Sequence, residues 1–68
     1  MIERNYTATA ENKNIVVKFN DKVIRYELDS NEMAQDVSNL FNQKDVSELS
    51  EIWDIIFESI NQYKKHIA

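Results

Sequence analysis

The chain has 68 residues, with eight Lys and Arg against twelve Asp and Glu, which gives a formal net charge of −4. A chain of this length supports one hydrophobic core, so we expect a single domain over residues 1–68. It contains no Cys, Gly or Pro, which excludes disulfides, thiolate metal sites, glycine-rich phosphate loops and proline-rich linkers.

Between Arg4 and Leu28 the apolar side chains recur at every second position, the pattern of half-buried β-strands. The separators at 11–14 and 20–21 are rich in Asn and Asp, which form turns without glycine. We therefore predict three antiparallel strands with one apolar face. The predicted pairs are Tyr6–Phe19, Ala8–Val17, Ala10–Ile15, Phe19–Lys22, Val17–Ile24 and Ile15–Tyr26. The solvent-facing side would show Thr7, Thr9, Lys18, Val23 and Arg25.

After Leu28 the apolar spacing changes to three and four residues, which is typical of an amphipathic helix. Asp29 with Glu32 predicts a capping box at its start, and Ser30 is a competing cap. Residues 42–44 carry no periodic apolar side chain and can end this helix. Its predicted apolar stripe consists of Met33, Ala34, Val37, Leu40 and Phe41.

A second capping box, Asp45 with Glu48, predicts the start of a second helix of about 20 residues. Its predicted inner stripe consists of Leu49, Trp53, Ile56, Ile60, Tyr63 and Ile67. Trp53 is expected to anchor the core; if it were exposed, it would be a natural centre of an interface. The fold class is therefore α+β, a three-stranded antiparallel β-meander followed by two α-helices packed on one face (β-β-β-α-α).

The helical part is acidic, because residues 29–68 hold three basic and eight acidic side chains, against five and four in residues 1–28. On the second helix, carboxylates spaced by three and four residues away from the inner stripe form an acidic ridge of Glu48, Glu51, Asp54 and Glu58. Glu32 and Asp36 form a second patch on the first helix. Such surfaces either keep a small protein soluble or dock on a basic partner.

Apolar residues beyond the inner stripe indicate a possible homodimer. A domain of this size without disulfides or metal often gains stability by self-association. Ile52 and Phe57 widen the stripe and Ile55 lies outside it, which predicts an oligomer interface through these three residues. In the alternative, the first helix covers the stripe and Ile55 is a lone exposed apolar residue.

The residues favour a protein that is not an enzyme and that needs no cofactor. His66 is the single histidine, near the carboxyl end, with no second group to orient it as a base. The carboxylate pairs lack the alternating ligands and the glycine of a calcium loop, so no metal site is predicted. The remaining serines are expected on helix surfaces: Ser38, Ser47, Ser50 and Ser59.

The first functional hypothesis is a non-catalytic protein-binding module that docks its acidic helical side on a protein with a basic surface. A meander followed by acidic helices, in a small glycine-free chain of AT-rich coding, resembles some phage-encoded inhibitors, including certain anti-CRISPR proteins. This resemblance of architecture implies an inhibitor, from a phage or another mobile element, of a nucleic-acid-handling or defence protein.

Two further hypotheses are a homo-oligomeric accessory protein that associates through the second helix and a small DNA-contacting regulator. Lys18 and Arg25 are too few to hold nucleic acid well at physiological salt, which disfavours the second of these. No apolar run exceeds three residues, there is no signal-peptide core and cysteine is absent. We therefore expect a cytoplasmic protein without a membrane segment.

Overall fold

The structure, a computed structural model, describes residues 6–19, 22–46, 48 and 50–67. It contains strands β1 (Tyr6–Glu11), β2 (Asn14–Phe19) and β3 (Lys22–Glu27), followed by helices α1 (Asn31–Asn42) and α2 (Glu51–Ile67). The strands form one antiparallel sheet in the order β1-β2-β3, which confirms the predicted α+β fold. Within these ranges, neither helix has the length and apolar character needed to cross a membrane.

Both predicted strand registers are confirmed. Ala8 of β1 lies opposite Val17 of β2, and Val17 lies opposite Ile24 of β3. In the turn between β1 and β2, Asn12 has a φ of 56°. This is the left-handed conformation, which asparagine tolerates better than most residues with a side chain. Asparagine thus serves here in place of the glycine that this chain lacks.

The apolar face of the sheet is buried under the helices. Helix α1 lies over β1 and β2, and α2 packs against α1. Asp36 in the first half of α1 and His66 near the end of α2 line the same groove, so the two helices run antiparallel. The sheet, the segment after it and both helices contribute to the core: Tyr6, Ala8, Ile15, Val17, Leu28, Met33, Ala34, Val37, Phe41, Ile52, Ile56 and Ile60.

The side chain of Asn42, at the end of α1, closes the outer edge of β1 at Ala8. The backbone N–H of Ala8 donates to Oδ1 of Asn42 at 3.0 Å, and Nδ2 of Asn42 donates to the Ala8 carbonyl at 2.9 Å. The hydroxyl of Tyr6 donates to the carbonyl of Lys44 at 3.2 Å and accepts from the N–H of Val46 at 2.7 Å. Asn42 thus takes the place of a neighbouring strand at Ala8, and Tyr6 ties β1 to the segment after α1; we call these two residues the clasp.

Helix α1 begins after Ser30, which is one of the two predicted N-caps. Oγ of Ser30 accepts a hydrogen bond from the N–H of Met33 at 3.1 Å, and Ser30 has the extended backbone of an N-cap. The capping box from Asp29 is therefore wrong, and the competing cap is confirmed. The helix ends at Asn42 with Gln43 as its C-cap, within the predicted segment.

Helix α2 begins later than predicted. Its first residue is Glu51, whose N–H donates to the carbonyl of Glu48 at 3.0 Å, and it has 17 residues. The predicted capping box of Asp45 and Glu48 does not start this helix; within that segment, the N–H of Val46 donates to the hydroxyl of Tyr6. Leu49 of the predicted inner stripe lies outside the described residues.

Val16 is fully buried although it lies on the outer face of the sheet. Arg25, directly opposite it on β3, has its guanidinium 3.6 Å from the carboxylate of Glu11 on β1. The Arg25 side chain therefore crosses over β2 beside Val16, and its aliphatic part shields apolar surface. The residues predicted on this face are exposed: Thr7, Thr9, Lys18, Val23 and Arg25.

Two serines lie in the interior rather than on the helix surfaces where the sequence places them. Ser38 of α1 and Ser59 of α2 are 1% and 0% exposed, and neither hydroxyl has a hydrogen-bond partner within the described part of the chain. A small side chain lets neighbouring elements approach closely, whereas its unpaired hydroxyl is unfavourable in a core.

We expect Ser59→Ala to raise the free energy of unfolding by up to about 1 kcal/mol, because it removes a desolvated hydroxyl without a hydrogen bond. Ser30→Ala, the same change at the N-cap of α1, should lower it by about 1 kcal/mol. Urea unfolding followed by circular dichroism measures both changes. A loss of stability in Ser59→Ala comparable to that in Ser30→Ala would contradict the finding that the Ser59 hydroxyl is buried without a hydrogen bond.

Candidate binding surfaces on the second helix

The acidic ridge on and just before α2 faces solvent. Glu48, Asp54 and Glu58 are exposed, and Glu51 is half-buried. At about 100° per residue, the three carboxylates within the helix occupy one sector of about 60°, on the side away from the buried Ile52. The helix therefore presents these groups together to any partner that approaches from this side.

Little positive charge compensates the ridge. Lys44 is the only cation between Asp29 and Tyr63 in the sequence. Its Nζ lies 3.6 Å from Oε1 of Glu58 and donates to Oε1 of Gln62 at 3.0 Å. The Lys44 side chain is 21% exposed and that of Glu58 is 62% exposed, so the carboxylate stays accessible while the ammonium is mostly covered.

The second acidic patch is separate from the ridge. Glu32 and Asp36 are exposed on α1. Asp36 borders a groove of about 330 Å³ between the helices, lined on α2 by Gln62, Tyr63 and His66. His66 follows Glu58 by about 12 Å along the helix axis, so the groove lies beyond the ridge. Among the described residues, no group of three or more His, Asp or Glu is placed to hold a metal ion.

Trp53 lies at the surface, which corrects the prediction that it anchors the core. It is 41% exposed, and Phe57, one turn later, is 45% exposed. The buried side of α2 is centred on Ile52 and Ile56, which are fully buried, and this leaves Trp53 at its border. The physical reason is that compact side chains fill the contact with α1, where an indole would need more room.

The exposed aromatic rings form one cluster with β3. The rings of Trp53 and Phe57 stack with centroids 6.0 Å apart, and both meet Tyr26 edge-on, at 5.9 and 5.5 Å. We call these three residues the aromatic patch. Adjacent exposed aromatic side chains are typical of surfaces that another molecule covers.

The three residues predicted for an oligomer interface, Ile52, Ile55 and Phe57, differ in their exposure. Ile52 is fully buried in the core, and Ile55 is half-buried against it, so only Phe57 offers a large exposed surface. Helix α1 covers the stripe, as the alternative predicted, but Ile55 is not a lone surface residue. An aromatic pair spaced by four residues, beside the line of Ile52 and Ile56, is the signal that the sequence interpretation missed.

Strand β3 is the open edge of the sheet. Because Asn42 takes both backbone groups of Ala8, the pair of Ala8 and Val17 has no ladder hydrogen bonds, and Val17 bonds to Ile24 instead. By the same alternation, the residues of β3 whose backbone groups point away from β2 are Val23, Arg25 and Glu27. These groups have no hydrogen-bond partner among the described residues.

The outer face of the sheet carries the two basic side chains on which the DNA-contacting hypothesis depends. Lys18 and Arg25 are both exposed there. The guanidinium of Arg25 already lies 3.6 Å from the carboxylate of Glu11, so its charge is partly compensated within the chain. The DNA-contacting hypothesis stays a prediction.

Comparison of this chain with family models, with curated proteins and with solved structures finds no match. Its function is therefore inferred from three surfaces: the acidic ridge, the aromatic patch and the open edge of β3.

Proposed function

We propose that this chain is a non-catalytic protein-binding module that docks the acidic ridge of α2 on a protein with a basic surface. The observation that supports this most is the accessibility of Asp54 and Glu58 on one side of a single helix, where Lys44 is the one ionic contact within the described part of the chain. A partner with basic side chains at complementary positions would be attracted to this side of the helix and oriented by its carboxylates.

The distribution of charge over the two layers supports the same proposal. The helical segment 29–68 holds eight acidic and three basic side chains, whereas 1–28 holds four and five. A molecule with this asymmetry approaches a basic surface with its helices first. Nucleic-acid-handling and defence proteins carry basic grooves, so we propose a partner of this class, which the module inhibits by occupying the groove. Since the chain has no cysteine, we place this interaction in the cytoplasm.

We expect Asp54→Lys/Glu58→Lys to weaken capture of the basic partner by at least about tenfold, because it reverses two exposed charges of the ridge. Glu51 is left unchanged, since it is half-buried and its reversal could disturb the helix. The immobilised chain is incubated with lysate of its native host, and the captured protein is identified and titrated. Capture by the unmodified chain should also fall as salt is raised.

The control for this experiment is Asp29→Lys/Asp45→Lys, which changes the net charge equally at two exposed positions outside the ridge. It should retain capture to within about twofold, since distant exposed charges are screened at physiological salt. Equal capture by both double variants would refute docking through the ridge, and so would a captured protein that is itself acidic.

A further inference from the structure

We propose that two copies of this chain pair edge to edge through β3, antiparallel about a two-fold axis at Tyr26. The strand offers the outward backbone groups of Val23, Arg25 and Glu27, which have no partner among the described residues. A second copy offers the same groups, so pairing would join two three-stranded sheets into one continuous sheet. This inference concerns β3 and the aromatic patch, and it stands apart from the acidic ridge.

The charges along β3 select the register of this pairing. An axis at Arg25 would place Arg25 opposite itself, which puts like charges against each other. An axis at Tyr26 places Arg25 opposite Glu27 of the second copy, and by symmetry Glu27 opposite Arg25. Both positions lie on the outer face and are exposed. The register at Tyr26 therefore forms two cross-strand pairs of opposite charge once the exposed Arg25 side chain turns from Glu11, 3.6 Å away within its own chain, to Glu27 of the second copy.

The same register covers the aromatic patch. Tyr26 points to the helical side of the sheet, where its ring meets Trp53 and Phe57. With the axis at Tyr26, the tyrosines of the two copies face each other as a close pair without ladder hydrogen bonds. The second copy would then lie beside the exposed rings, while Glu58 projects from another side of α2.

The two edges of the sheet explain why pairing stops at two copies. Asn42 occupies the backbone groups of Ala8 on β1, so that edge cannot accept a strand at this point. Among the described residues, β3 has no such contact along its outer edge, and a two-fold contact uses this edge of each copy. The product is a closed dimer rather than a growing fibre.

Sedimentation equilibrium tests this proposal with charge reversal and rescue. The unmodified chain should sediment at twice its mass of 8.1 kDa at micromolar concentration. Arg25→Glu and Glu27→Arg should each weaken dimerisation by at least about tenfold, because each places like charges opposite each other twice. The double variant Arg25→Glu/Glu27→Arg restores opposite charges and should recover the dimer. Glu27→Arg keeps the contact of Arg25 with Glu11 intact, so its effect cannot come from losing that contact.

Lys18→Glu is the control, since it reverses an exposed charge on the same face of the sheet but on the central strand. It should dimerise like the unmodified chain. Trp53 is the only tryptophan, so its emission should shift to shorter wavelength on dimerisation in the dimerising variants alone. A monomer at every concentration would overturn the proposal and leave the edge to a strand of another protein. Equal dimerisation of all variants, or no recovery in the double variant, would overturn it as well.

Discussion

Phe41→Ala is expected to lower the free energy of unfolding by about 3–5 kcal/mol, because it opens a cavity at the centre of the core. Phe41 is fully buried, and its ring meets that of Tyr6 edge-on with centroids 5.9 Å apart. Single-core domains of this size rarely have more than about 3–5 kcal/mol of stability. The variant should therefore be largely unfolded in buffer at 25 °C, which far-ultraviolet circular dichroism and urea titration would show.

Phe57→Ala provides the matched control, since it makes the same truncation at an exposed position of the aromatic patch. Its cost should stay below about 1.5 kcal/mol, the value of a lost aromatic pair. If the two truncations lowered stability equally, the division between a buried core and an exposed patch would be incorrect.

Asn42→Asp is expected to lower the free energy of unfolding by about 2 kcal/mol. The introduced carboxylate can still accept from the N–H of Ala8, but it cannot donate to the Ala8 carbonyl. It also places a negative charge against a carbonyl oxygen that now lies 2.9 Å from Nδ2 of Asn42. Urea unfolding near neutral pH, compared with the unmodified chain, measures this loss.

Asn39→Asp, the same change at an exposed position of α1, should alter stability by less than about 0.5 kcal/mol. The two variants should also differ in their pH dependence. Protonation of the carboxyl introduced at 42 restores a donor, so folding raises its pKa, and the folded state binds the proton more tightly than the unfolded state. The stability deficit of Asn42→Asp should therefore shrink as the pH falls toward about 4; a deficit that grows would contradict the clasp.

The sheet could be predicted from the sequence almost completely. A slip of one residue would turn Ile15 and Val17 toward solvent, so the alternation of apolar residues allows only one register. The turns could be recognised without glycine, because asparagine tolerates the left-handed backbone that Asn12 adopts. The apolar stripe of α1 could also be predicted, since it is a local pattern, but its cap could not be decided between Asp29 and Ser30.

The start of α2 was predicted too early, because the spacing of a capping box is a local pattern and the segment before this helix also makes a distant contact. Asp45 and Glu48 have the spacing of a capping box, yet the hydroxyl of Tyr6 binds the N–H of Val46, 40 residues away in the chain. No local pattern contains this contact. The buried side of α2 was predicted incorrectly for a related reason. Packing against α1, rather than the size of Trp53, decides which side of α2 faces the core.

Of the candidate surfaces, one could be predicted from local patterns and two depend on tertiary contacts. The ridge was predictable, since charged side chains spaced by three and four residues beside an apolar stripe face solvent. The aromatic patch depends on the rotation of α2. That β3 is the open edge follows from the hydrogen bonds of Asn42 to the backbone of β1. The sequence does not indicate that a polar residue at the end of α1 makes these bonds.

The clasp has a consequence for the order in which the molecule assembles. Its hydrogen bonds join positions 34, 38 and 40 residues apart, whereas the strands pair with their direct neighbours in the chain. Closing a short loop costs less entropy than closing a long one, so the hairpins should form early and the clasp late. Weakening the clasp should then speed unfolding and leave the folding rate almost unchanged. During synthesis, β1 leaves the ribosome before the other strands, yet its edge is the last part of the sheet to be protected.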